Sequence, residues 1–80
     1  MREFIATFHT HLSALMTSRA LSELGVCARM MPVPRRLSSS CGTCVRYQAD
    51  QAHLDAMDTD TEAVYERTGP EDYILIQSFE

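Results

Sequence analysis

Residues 32–44, PVPRRLSSSCGTC, gather two of the chain's three cysteines with two arginines and three serines. A cysteine acts as a nucleophile or a metal ligand through its thiolate, so its surroundings decide what it can do. Cys41 follows Arg35 and Arg36 closely, and either could offset a thiolate's charge. The hydroxyls and backbone N–H groups of Ser39 and Ser40 could form a nest for an anion. Gly42 allows close backbone approach, and His11 is a candidate proton acceptor or hydrogen-bond partner. Together these residues make a nucleophilic cysteine site.

Cys41-Gly-Thr-Cys44 is also a CxxC, a motif shared by redox centres and zinc half-sites. A thioredoxin-type centre requires the motif to open a helix, but the β-branched and aromatic residues of "VRY" follow it, so it opens a strand. A zinc site needs four ligands; Cys41, Cys44, His9 and His11 could converge, yet no second CxxC supports them. The expectation is therefore no resident metal, with Cys44 facing inward as a structural thiol. Cys27, inside a strand, reads as packing, His9 and His53 as surface residues, and Met16, Met30 and Met57 as core filler.

These residues must be positioned by a small scaffold. "EFIATFH" alternates with period two and predicts a strand over 3–8. "THLSALMTSRALSELG" places Leu12, Leu15, Met16, Ala20, Leu21 and Leu24 at helical spacing, with Thr10 as N-cap and Gly25 as the C-terminal stop. "VCARMM" predicts a short strand ended by Pro32, which lacks a ladder donor. "TCVRYQ" predicts a third strand beginning at the cysteines. Residues 51–67 carry Leu54, Met57, Thr61 and Val64 on one helical stripe, with "TDTE" at 59–62 resembling a capping box, and predict one helix or two. "YILIQSF" at 73–79 closes the chain as a strand.

The resulting order, βαββαβ, predicts an α+β, ferredoxin-like two-layer sandwich over residues 1–80. Its four-stranded antiparallel sheet would have order 4-1-3-2, with both helices on one face. Strand one would end, strand two would end and strand three would start at a single edge, where the first helix also begins. The cysteine loop would therefore meet a helix N-terminus, whose N–H groups and dipole favour an anion.

Composition narrows the classes of function. A hydrophobic fraction of 45% with 22% charged residues fits a globular chain and argues against disorder. The net charge of −4 hides an asymmetry: residues 1–49 carry six arginines against Glu3 and Glu23, while residues 50–80 carry nine acids against Arg67. A basic half without interleaved aromatics is a poor nucleic-acid footprint. The N-terminal residues lack the apolar core of a signal peptide, and no apolar run reaches membrane-span length. The expected compartment is the cytoplasm, where three cysteines stay reduced.

"FHTHLSAL" (8–15), "PVPR" (32–35) and "SSSCG" (38–42) together resemble the short bacterial selenium/sulfur carrier-like proteins, which share a Thr-His pair, a PvPR turn and a Ser-Ser-Cys-Gly signature in this order. The resemblance covers roughly the first sixty residues. It implies that Cys41 is the carrier thiol, holding a chalcogen transiently as a persulfide or perselenide with no further cofactor, and that His11 is the family's early histidine. It further implies a donor protein and an acceptor protein as partners, and a transfer role in place of stand-alone catalysis. Cys44 departs from the family pattern, where an apolar residue is more usual. The residues alone leave open a small regulatory or metal-binding module using Cys41 and Cys44, and pairing of two copies through sheet edges.

Overall fold

A computed structural model describes all 80 residues. The elements are β1 (Arg2–Phe8), α1 (His11–Glu23), β2 (Cys27–Pro32), β3 (Thr43–Ala49), a 3-10 turn (Leu54–Ala56), β4 (Thr61–Gly69) and β5 (Asp72–Ser78). The strands form one antiparallel sheet of order β2-β3-β1-β4-β5, and α1 packs across β1, β3 and β2. It is thus an α+β fold of two layers. No helix is long and apolar enough to cross a membrane.

Through β3 the elements follow their local signals. Thr10 is extended, and its side chain accepts from the Ser13 N–H, capping α1. At the other end Gly25, at φ +81, stops the helix. β2 ends at Pro32, which still faces Thr43 in register.

The second helix expected over 51–67 does not form, so the βαββαβ order and the four-stranded 4-1-3-2 sheet are corrected. Residues 61–69 are instead β4, the strand that pairs with β1; the strand read at 73–79 is β5, hydrogen-bonded to β4 at the sheet edge. The helical stripe was a coincidence of spacing. It fails between 50 and 60, where His53 adopts a left-handed conformation at φ 52 and helix is confined to one 3-10 turn. Thr61 then folds back on Asp58, donating from both its N–H (3.1 Å) and its hydroxyl (2.6 Å) to the Asp58 carbonyl. The apparent capping box is therefore the turn that starts a strand. Beyond it Thr61, Val64, Tyr65 and Thr68 are β-branched or aromatic, and pairing with the open side of central β1 outweighs their helical spacing.

Alternation splits the sheet into two unlike faces. Phe4, Ala6 and Phe8 of β1, Val45 and Tyr47 of β3, and Val64 of β4 point towards α1 and make the core with Ala14 and Leu21. The Phe4 and Tyr47 rings stack at 5.3 Å. The helix presents a different side from the one expected. Ser13, Ala14, Thr17 and Leu21 are buried, whereas Leu12 and Met16 are 65% and 51% exposed, so Met16 is not core filler. The sheet already supplies the aromatic bulk, so close packing requires small side chains opposite it.

The other face has no helix. Ile5, Thr7 and Cys44 are nonetheless buried there. The loop 33–42 borders part of this face: Leu37 lines a cleft together with Tyr65 and Leu75, and Ser38 lines a smaller one together with Thr7 and Ala63. The proline- and serine-rich segment is held to the sheet by side-chain hydrogen bonds that join its serines to β1 and β4.

Candidate functional site

The loop is closed at its neck by the Val33 N–H donating to the Gly42 carbonyl (3.1 Å), and at its tip by the Gly42 N–H donating to the Ser39 carbonyl (3.1 Å). Gly42 sits at φ +74, a left-handed conformation that favours glycine. Cys41 stands between these two bonds, half-buried at the rim of the helix-side core.

Ser39 ties this tip to the sheet. Its hydroxyl accepts from the Phe8 N–H (3.3 Å) and donates to the Phe8 carbonyl (2.8 Å), completing the last residue of β1 as a strand neighbour would. The same oxygen lies 3.2 Å from the Thr43 carbonyl and 3.6 Å from the Cys41 sulfur. One hydroxyl proton thus serves three acceptors. With Cys41 as a thiol, the S–H points at the Thr43 carbonyl (3.4 Å); with Cys41 ionised, the Ser39 proton can turn to the sulfur.

Ser40 anchors the other side of the tip. Its N–H and hydroxyl both donate to Glu62 of β4, at 3.1 and 2.7 Å. Glu62 also meets His9 Nδ1 at 3.4 Å, and His9 Nε2 meets Glu80 at 3.1 Å. The three side chains bring ligand-type atoms within 4.8 Å of one another. His9 therefore turns to carboxylates and not to the thiols with which the CxxC zinc arrangement would join it.

His11 opens α1, and its Nδ1 lies 3.4 Å from the Thr43 hydroxyl. Cys41 and His11 thus converge on Thr43, one at its carbonyl and the other at its side chain, with no hydrogen bond between them. Arg36 reaches across to Glu71 at 3.5 Å, and exposed Arg35 makes no ion pair; neither touches the Cys41 sulfur. Ser39 and Ser40, expected in an anion nest, spend their hydroxyls on the sheet. The sequence marks Ser39 and Ser40 only as a nest: nothing in a run of three serines signals that Ser39 tethers β1, and Glu62, the partner of Ser40, lies in a segment whose spacing predicts helix.

The other thiols occupy opposite extremes. Cys44 is fully buried on the face away from α1, and burial, reinforced by the nearby Cys41 charge and partly offset by Arg46, pushes its thiol up to about 11. It stays protonated near neutral pH. Cys27, read from sequence as packing, is exposed, because β2 is an edge strand and its outward face carries no covering layer.

The family described as "Putative Se/S carrier protein-like" matches residues 3–66, which include all of β1 but its first residue, α1, the whole cysteine loop and most of β4. The chain is also 36% identical over 45 residues to "Uncharacterized protein YtiA" of Escherichia coli (strain K12), across 56% of this chain and 53% of that protein. It thus spans about half the length of that relative. No solved structure matches. With the Thr-His pair, the PVPR turn and the SSSCG loop all inside the matched span, the chain belongs to the Se/S carrier-like family.

Proposed function

We propose that the protein is a sulfur or selenium carrier that accepts a chalcogen on Cys41 and passes it to an acceptor. The observation that carries this reading is the setting of Cys41: a half-exposed thiol on a tethered loop, beside a hydroxyl able to donate to its ionised form. Transfer of sulfane sulfur needs no outside oxidant. The Cys41 thiolate attacks the terminal sulfur of a donor persulfide, the new Sγ–S bond forms as the donor's S–S bond breaks, and the electron pair leaves with the donor thiolate. An acceptor thiolate then repeats the exchange on the terminal sulfur and returns Cys41. Donor and acceptor proteins are the partners this chemistry requires, and perselenide transfer follows the same course.

Cys44 is a poor alternative carrier because it is both buried and protonated. Intact-mass analysis after incubation with a persulfide donor tests the reading. A gain of one sulfur atom should appear in the wild type and in Cys27→Ser, and disappear in Cys41→Ser. Retention of that gain in Cys41→Ser would refute it.

A further inference from the structure

The half of the helix-free face left bare by the loop carries charge that the chain does not neutralise. Register places Arg29 of β2 directly opposite Arg46 of β3, a like-charged cross-strand pair of the kind that disfavours pairing. Arg46 has a carboxylate partner in Glu3, but Glu3 is shared with Arg67, 3.1 Å away, and Arg29 has no ion pair at all. Two arginines thus share one glutamate and a third has none, on this face of a protein whose net charge is −4. The two opposed arginines do not lie on a flat surface: with Cys27, Met31 and Gln48 they line a cleft of about 230 Å³.

We infer that this cleft binds a small tetrahedral oxyanion of the phosphate class, clamped between the Arg29 and Arg46 side chains with the Gln48 amide as a further donor. A dianion with several acceptor oxygens can engage two guanidinium groups together and removes their mutual repulsion. A monoanion such as chloride can do neither as well. The site is independent of the Cys41 reading, since β2 and the outward residues of β3 take no part in that loop's tethering.

The test is an NMR titration of the intact protein with inorganic phosphate, ionic strength being held constant with chloride. Saturable shifts are expected for the amides of residues 27–31 and 46–48, together with slower alkylation of Cys27 while Cys41 alkylates at its unchanged rate. Arg29→Gln removes no internal ion pair, and should weaken the phosphate response at least tenfold; Arg29→Lys should weaken it less. A phosphate monoester in a parallel titration separates the two sources of this chemistry, tighter binding than inorganic phosphate marking an organic phosphate as the ligand and equal or weaker binding marking the free anion. The inference is overturned if phosphate produces neither saturable shifts at these amides nor protection of Cys27, if chloride alone reproduces them, or if Arg29→Gln leaves them unchanged.

Discussion

Replacing Ser39 with alanine removes a hydroxyl that both donates to and accepts from the backbone of Phe8, at 2.8 and 3.3 Å. Phe8 is fully buried as a residue, so its N–H and carbonyl are left with little access to water. Each lost hydrogen bond is worth about 1 kcal/mol, giving an expected loss of about 2 kcal/mol for the pair. An 80-residue domain has a total stability of roughly 4–12 kcal/mol, so the loss is a substantial fraction of the whole. Urea denaturation should show a lower midpoint with an unchanged slope, and the melting temperature should fall by roughly 8–16 °C. Because the same hydroxyl is the donor available to ionised Cys41, alkylation of Cys41 by iodoacetamide near neutral pH should slow in the folded variant. Ser39→Thr, which keeps the hydroxyl, should recover most of both effects. If Ser39→Ala melts like the wild type and Cys41 reacts no more slowly, the hydroxyl neither holds the loop nor supports the thiolate, and the account of the site fails.

Two further outcomes follow from the same geometry. The Cys44 thiol is pushed up from 9.0 to about 11 by burial, so it stays protonated in the folded chain while the unfolded chain ionises. Its contribution is full below pH 9 and is lost as pH rises to about 11, a decline of about 2–3 kcal/mol at about 1.4 kcal/mol per unit. Denaturation curves across this range should show a shallower decline in Cys44→Ala. The residual slope in that variant comes from the Tyr47 phenol, which burial also pushes up; an undiminished slope would contradict the assignment. Gly42→Ala should cost about 1 kcal/mol from backbone strain alone, since nothing lies within 4 Å of the added carbon, and Gly42→Asn should cost less. Equal melting temperatures for Gly42→Ala and the wild type would show that the left-handed turn at the loop tip is not required.

The amino-acid sequence determined the elements whose signals are local. β1 and β3 come from period-two alternation, α1 from its Thr10 cap and Gly25 stop, and the end of β2 from Pro32. The cysteine loop and its family signature were legible for the same reason, because motif residues lie close together in the chain. Local spacing could not settle residues 51–69, whose stripe of Leu54, Met57, Thr61 and Val64 satisfies a helix, while their β-branched and aromatic content satisfies a strand. The open side of β1, reached only through tertiary pairing, decided for the strand. Alternation likewise separated Cys27, Arg29 and Met31 from Val26, Ala28 and Met30, but which set met a covering layer depended on where α1 packed. Ser39 gained its role in the same way: a side chain 31 residues along the chain from Phe8 can complete a strand only after the sheet and the loop have folded against each other.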